Sequence, residues 1–307
     1  MSFNAFELCS GCLKQLGKVM ILVVVAFVVL TAAAMLNAYG PCLGHERVGK
    51  AFGCFLGLLV FFSLVCMLLW SYFAAFLTEP GRVPAGWSPF SSEEEAQLEA
   101  ERAEARSPEQ GKGVAGSGRL RYCRKCHGWK PERTHHDSMA GRCVLKMDHY
   151  CVWIANTVGL CNYKAFLLFL FYTFWACLLA ACMLLGEVVS FFRGLDTVSP
   201  EQSSRFALTL LAFIVDIAFA LSLGGLLGMH ARMVWLNVTT IEMFEKRRVT
   251  QWPFDRGPRR NFQEVFGASA WRWWLPTHTR QEQERMLDAA LAAQPFEEAM
   301  GTEFANL

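Results

Sequence analysis

The stretch DHYCVWIANTVGLCNYKAFLLFLFYTFWACLLAACMLL, residues 148–185, joins two kinds of chemistry without a break. Its first part carries Asp148, His149, Cys151 and Cys161, and its second part, residues 165–185, has no charged side chain. Such a run meets the roughly 20 residues a helix needs to cross about 30 Å of hydrocarbon. Three more runs of this kind flank it. Residues 19–36 and 52–77 are uncharged, and residues 206–229 contain only Asp216. Four transmembrane helices follow, and the thiol and imidazole of the polar part then lie at a membrane surface. A cysteine attacks as thiolate, and an adjacent imidazole is the usual means of forming one near neutral pH.

Composition agrees. With 53% hydrophobic and 18% charged residues in 307, the chain is too apolar for an ordinary soluble domain. A cleaved leader is the rival for the first run, because Lys14 and Lys18 precede it and Ala32-Ala33-Ala34 ends it. That run is longer than a usual leader core, and its removal leaves an odd number of spans. Basic residues set the orientation. Arg82, Arg119, Arg121, Arg124, Lys125, Lys130, Arg133, Arg142 and Lys146 crowd the middle loop, with Lys246-Arg247-Arg248 and Arg259-Arg260 in the tail. The two short loops hold only Arg47, Lys50 and Arg193, so both termini and the middle loop are expected in the cytosol. The net charge of +2 calls for no nucleic-acid partner.

The twelve cysteines are unevenly placed. Cys123, Cys126, Cys143, Cys151 and Cys161 lie on or beside the middle loop, where a reducing compartment favours metal binding or catalysis over disulfides. Cys54, Cys66, Cys177 and Cys182 fall inside expected helices. Cys42 alone is expected on the lumenal side, without a partner. Cys9 and Cys12 form a Cys-x-x-Cys read as ordinary thiols rather than a metal half-site or an acylated pair. Within the middle loop, residues 91–118 have the composition of a solvated helix and a flexible Gly- and Ser-rich linker. Residues 121–166 instead concentrate Cys, His, aromatic and basic side chains with few aliphatics, a composition that needs a metal to hold it. Cys123 and Cys126 have tight-turn spacing, and His136 and Cys143 complete a Cys3His set for one structural zinc, with His135 as a competing ligand.

The runs Tyr122-Cys123-Arg124-Lys125-Cys126, Lys130-Pro131-Glu132-Arg133-Thr134-His135-His136 and Arg142 to Cys151 resemble the cysteine-rich domain of the DHHC protein S-acyltransferases. Trp153, Asn156, Val158-Gly159, Asn162-Tyr163-Lys164 and Phe166 extend the likeness. Glu79-Pro80-Gly81 resembles the family's Asp-Pro-Gly, Thr239-Thr240-Ile241-Glu242 its Thr-Thr-x-Glu, and Asn261 with Phe266-Gly267 its C-terminal motif. The resemblance covers about residues 15 to 270. It implies an all-α integral membrane protein with four transmembrane helices and a small cytosolic zinc-stabilised domain between the second and third. It also implies Cys151 as nucleophile, His149 as its base and Asp148 as the group orienting the imidazole. Among the basic residues of the loop, Lys130, Arg133 and Arg142 are candidates to meet the phosphates of a palmitoyl-CoA or other long-chain acyl-CoA, with Trp153 as a further candidate at the coenzyme. Acyl transfer to cysteines of membrane-associated proteins is the implied activity. The implied location is the endomembrane system (ER, Golgi) or the plasma membrane.

One departure is coordinated. The family binds a second zinc through positions that are here Asp137, Ala140, Tyr150 and Thr157, none of which keeps the family's ligand, so a single zinc is expected. The alternative to an enzyme is a silent membrane adaptor that keeps the fold, and a non-covalent zinc-bearing receptor is a third reading. Retention of Asp148, His149 and Cys151 together favours activity over both. The expected organisation is a cytosolic N-terminus (1–18), helices 1 and 2 (19–77), a partly disordered linker (78–118), the cysteine-rich domain (119–164), helices 3 and 4 (165–232) and a cytosolic C-terminal region (233–307). Asp216 is expected to face the bundle interior, and Trp271, Trp273 and Trp274 to form an interfacial anchor.

Overall fold

In the computed structural model, residues 5–44, 46–105, 120–193, 200–245 and 252–292 are described. The side chains of Cys9 and Cys12, the Gly- and Ser-rich linker, the Lys246-Arg247-Arg248 run and the end of the tail fall outside them. Four long helices, α1 (Ala5–Tyr39), α2 (Val48–Leu77), α4 (Tyr163–Arg193) and α5 (Pro200–Leu236), coincide with the four apolar runs and extend beyond them. Each contains a span long and apolar enough to cross a membrane, and the protein is an integral membrane protein. The helix α3 (Glu93–Ala105) buries nothing, as its Glu-rich sequence requires.

Helix α4 is the centre of the bundle. Half of its apolar window is buried inside the protein, against 22% for each of the others. Along it Phe166, Phe169, Ala176, Ala180 and Leu184 meet Leu68 and Tyr72 of α2, Met35 of α1 and Ala212 of α5. Outward-facing residues such as Leu22 (71% exposed) and Leu221 (76%) present the apolar girdle that lipid solvates.

The cysteine-rich segment is the exception to the all-α expectation. It folds as three antiparallel hairpins, β1 (Arg121–Cys123) with β2 (Gly128–Lys130), β3 (His135–Asp137) with β4 (Arg142–Val144), and β5 (His149–Cys151) with β6 (Asn156–Val158). Three-residue strands cannot hold themselves in water, so external pins matter. Asn156 Nδ2 donates to the free carbonyls of Ala75, Phe76 and Thr78 at the end of α2. Asn162 Nδ2 donates to Ala75 and Thr157 carbonyls, and Tyr72 Oη to the Trp153 carbonyl. The Pro80-Gly81-Arg82 strand threads beside β4, where Leu145 N donates to Gly81 O and Cys161 N to Pro80 O. Only glycine fits at Gly159, because a Cβ there meets Val144 Cγ1 at 2.7 Å and Pro80 O at 2.8 Å.

On the C-terminal side, α6 (Thr240–Glu245), α7 (Pro258–Phe266) and α8 (Arg280–Leu291) follow α5. Asn261 of α7 donates to Trp235 O and accepts from Arg256 N, fastening α7 to the end of α5. Lys164 Nζ donates to the Arg272 and Thr277 carbonyls and Tyr172 Oη to that of Trp274, so the tryptophan-rich turn rests on α4. One expectation fails. Cys42 is not alone: it forms a disulfide with Cys54, in the second turn of α2, with Cα atoms 6.2 Å apart. The helix begins at Val48, so its first turns lie beside the connecting loop and bring the second thiol to the same end.

Candidate active site and metal centre

The metal set assembles as its spacing implies. The turn of the first hairpin supplies Cys123 and Cys126, while His136 and Cys143 face each other across β3 and β4. All four ligand atoms lie within 4.8 Å of one another. His136 Nδ1 is 3.1 Å from Cys126 Sγ and 3.5 Å from Cys123 Sγ, close to the S···N separation of about 3.6 Å expected around one tetrahedral zinc. Three thiols and an imidazole therefore fit a structural zinc. His136 joins the three thiols and His135 does not. Burial, reinforced by the Arg121 charge, lowers His135 to about 4 and keeps it neutral inside the domain.

Asp137, Ala140, Tyr150 and Thr157 form no second cluster of thiols and imidazoles. Thr157 Oγ1 donates to Asp137 Oδ2 in a short hydrogen bond, and Met139 N donates to Asp137 Oδ1. Tyr150 lies opposite Thr157 in the third hairpin, and its hydroxyl faces the close approach of α1 at Gly17. The bond from Thr157 to Asp137 thus links the second hairpin to the third.

Strand β5 sets the relative placement of His149 and Cys151. In an extended segment residues two apart share a face, so His149 and Cys151 point together and Tyr150 points away. Asp148 Oδ2 accepts from His149 Nδ1 at 2.6 Å and from Thr240 Oγ1 at 3.0 Å, and Asp148 Oδ1 accepts from Thr240 N at 2.7 Å. Burial disfavours the Asp148 anion, but these bonds and the imidazole charge outweigh it and hold the carboxyl below the usual range. With Nδ1 engaged, Nε2 is left for the Cys151 thiol on the same face of the strand. Burial opposes the His149 cation, yet the bonds to Asp148 and Cys151 and their charges raise it to about 9. Behind the imidazole stand the edges of Phe166 and His230, and Tyr163 Oη lies 3.0 Å from His230 Nδ1.

Cys151, His149 and Trp153 line the mouth of a cavity of about 670 Å³ that runs among α1, α2, α4 and α5 past Val24, Leu68, Phe169 and Val215. Its walls are almost wholly apolar. Arg142 lies outside it in an ion pair with Glu79, and Lys130 sits at the rim of the thiol cluster. Arg133 requires a correction as a coenzyme contact. It is buried, and its guanidinium is already taken by both oxygens of Glu242, by Asn237 and by the ring of Phe254. Lys146, Asn237 and Glu264 complete this network; Asn237, Glu264 and His230 escaped the sequence reading, and Lys146 and Tyr163 were given no role in it. A histidine closing an apolar run was the available signal for His230.

A thiol with an oriented imidazole beside an apolar cavity among membrane-spanning helices fits a membrane enzyme that works on long apolar chains. The sequence pattern of the DHHC palmitoyltransferases matches residues 116–247. The chain is 42% identical to Probable protein S-acyltransferase 14 of Arabidopsis thaliana over 93% of its own length and 92% of the relative's. It is 35% identical to Palmitoyltransferase ZDHHC15 of Xenopus laevis over 72% and 68%, and 32% identical to Palmitoyltransferase ZDHHC2 of Mus musculus over 88% and 76%. The chain belongs to the DHHC palmitoyltransferase family and is a protein S-acyltransferase.

Proposed function

We propose that the acyl group passes through Cys151, with the reactive face toward the cytosol and a single zinc in the chain. The observation that carries the reading is that Cys151 and His149 line one apolar cavity while Asp148 holds the Nδ1 of His149. Cys151 gives its proton to His149 Nε2 and its sulfur attacks the carbonyl of a long-chain acyl-CoA. The new C–S bond forms as the bond to CoA breaks, and the CoA sulfur takes the proton back from His149. A cysteine of a membrane-associated protein then attacks the acyl-Cys151 thioester, passing its own proton by way of His149 to the departing Cys151. Exchange of one thioester for another is nearly balanced, so placement of the reactants and formation of the thiolate dominate. The chain enters the bundle because each CH2 removed from water contributes about 0.8 kcal/mol. Lys130, Arg142 and Trp153 remain the candidates for the coenzyme, since Arg133 is committed elsewhere.

Zinc, held by Cys123, Cys126, His136 and Cys143, supplies structure only, by tying the first two hairpins together. The bond between Thr157 and Asp137 does for the third hairpin what a second metal would do. The Cys42–Cys54 disulfide supports the orientation, because it lies at the far end of the bundle from the thiol cluster and belongs in an oxidising compartment.

The deciding experiment incubates the purified chain with labelled hexadecanoyl-CoA, with and without hydroxylamine, beside Cys151→Ser. Wild-type protein acquires a hydroxylamine-labile label and the variant none; equal labelling of both moves the nucleophile to another residue. Elemental analysis of the same preparation gives one zinc per chain, and two tightly bound equivalents refute the single site.

A further inference from the structure

His230, near the end of α5, takes no part in the transfer described so far. It is 2% exposed and lines the same cavity as Cys151 and His149. Its ring centroid lies 6.4 Å from that of His149, and both rings make T-shaped contacts with Phe166, at 5.4 Å for His149 and 5.3 Å for His230. One nitrogen is engaged, Nδ1 with Tyr163 Oη at 3.0 Å. Nε2 has no hydrogen-bond partner among the described residues and keeps accessible surface. The hydroxyl beside the ring decides what this free nitrogen is. Tyr163 Oη has no second partner among the described residues, so its proton goes to Nδ1 and the neutral ring carries its own on Nε2. In the cation both nitrogens carry a proton, so Nε2 is a donor in either state.

Two spaces border the ring. The one between α4, α5 and α7 is walled by Leu167, Phe262, Phe266 and Trp273 among others, and none of its other side chains is an acceptor. The second is the Cys151 cavity, where the hydroxyl donors are already used. Thr240 Oγ1 donates to Asp148, Thr31 Oγ1 to Asp216, Thr173 Oγ1 to the Phe169 carbonyl and Ser222 Oγ to that of Ala218. Tyr150 points away from Cys151 on β5, and Trp153, 40% exposed, has water to turn to. His230 Nε2 is the uncommitted donor that remains beside the reactive group.

The exchange of thioesters is balanced from end to end, but its tetrahedral stage is not. As the Cys151 sulfur attacks, the π pair of the carbonyl moves onto its oxygen, and an unpaired charge beside almost wholly apolar walls is costly. We propose that His230 is a further catalytic residue, its Nε2–H donating a hydrogen bond to the carbonyl oxygen of the thioester as negative charge builds there. No proton leaves the ring. The pair returns to re-form the carbonyl, CoA departs as thiolate, and His149 protonates it. The same donor serves when a substrate cysteine attacks the acyl-Cys151 carbonyl. Tyr163 is the positioning residue that holds the proton on the nitrogen facing the cavity. The proposal rests on the passage of acyl groups through Cys151.

The test sets two reactions of Cys151 side by side on the purified full chain, each read by mass spectrometry of the Cys151 peptide. Acylation by hexadecanoyl-CoA passes through the tetrahedral stage. Alkylation by iodoacetamide needs the same thiolate but displaces iodide from a carbon and builds no charge on a carbonyl oxygen. In His230→Phe the first-turnover acylation rate at saturating thioester falls by about a hundredfold, while alkylation keeps its wild-type rate. The alkaline limb of acylation stays in place, because His149 keeps Asp148. His230→Gln, whose amide N–H takes the place of Nε2–H, recovers a large part of the loss, and His230→Leu repeats the loss where the phenyl ring does not fold. Equal falls in acylation and alkylation overturn the proposal, since His230 then acts through the thiolate or through packing. So does an unchanged acylation rate in His230→Phe, or a His230→Gln no faster than His230→Phe; the acyltransferase mechanism stands in each case. Absence of any wild-type Cys151 adduct from hexadecanoyl-CoA, with alkylation intact, overturns the nucleophile assignment, and this proposal with it.

Discussion

Asp148 is held by three donors, two of them from Thr240, so the imidazole it orients is fixed from a different helix than the one that follows Cys151. The raised value of His149, about 9, has consequences for both rate and stability. In the proposed transfer the proton that His149 returns to the CoA sulfur is present below about 9 and lost above it, so the rate of Cys151 acylation is expected to have an alkaline limb there. Asp148→Asn removes the anion that raises His149, and the limb moves toward the ordinary histidine value of about 6.5. Initial rates of labelling between about pH 6 and about pH 10, a span that contains the limb of both proteins, check this; a limb that stays in place means His149 is not the acid. The linkage runs in the same direction. A folded-state value above the unfolded one stabilises fully below about 6.5 and the contribution disappears as pH rises through about 9, so unfolding in detergent becomes easier on the alkaline side in wild type and less so in Asp148→Asn. The chemistry of these residues was legible as residue types, but their geometry was not. Adjacent letters leave His149 and Cys151 on unspecified faces until β5 is known to be extended. The choice between His135 and His136 depended likewise on the register of β3 against β4, which pairs His136 with Cys143.

The elements around the site are joined by charges that sequence alone did not connect. Arg133, in the loop before β3, reaches Glu242 on α6, more than 100 residues away, and shares Glu264 of α7 with Lys146. Glu242 is fully buried, accepts from Thr239 N as well, and has no solvent to turn to. Arg133→Met leaves that carboxylate without its partner and is expected to destabilise the fold by about 3–5 kcal/mol. Replacing both residues, Arg133→Met with Glu242→Leu, recovers a large part of the loss, because the uncompensated charge is gone. Thermal unfolding of the single and double variants in detergent measures the difference, and equal losses would show that the pair acts through packing instead. Burial and the Arg133 charge both work against the Lys146 cation, and Glu264 compensates only in part, so its value falls below the usual range. The four long helices were legible because uncharged runs of about 20 residues have few other uses. The hairpins were not, since three-residue strands carry no period to detect and owe their form to metal ligands and to Asn156 and Asn162 capping α2. Arg133 resembles a phosphate contact for the same reason: nothing in a basic run marks which cation is internal.

At the scale of the whole molecule the chain is a polar clamp at one end of an apolar bundle, with redox chemistry divided between the ends. The Cys123, Cys126, His136 and Cys143 set needs reduced thiols, while Cys42 and Cys54 are joined. In the proposed orientation a membrane separates the two states, which prevents exchange between free thiols and the disulfide. Sequence patterning placed Cys42 on the far side but left it unpaired, since an apolar neighbourhood around Cys54 resembles any buried helical cysteine; the early start of α2 is what turns Cys54 toward the loop. The division gives a test of orientation that does not depend on activity. In sealed vesicles with the cytosolic face outward, a membrane-impermeant phosphine followed by an impermeant maleimide leaves Cys42 and Cys54 unmodified until detergent opens the vesicle. Chelation of zinc from the same sealed vesicles exposes Cys123, Cys126 and Cys143 to the maleimide at once, and with them the first two hairpins lose their cross-link. Labelling of Cys42 in intact vesicles, with the zinc thiols protected, inverts the orientation. It would place the Cys151 face on the side away from acyl-CoA, where the proposed transfer has no substrate.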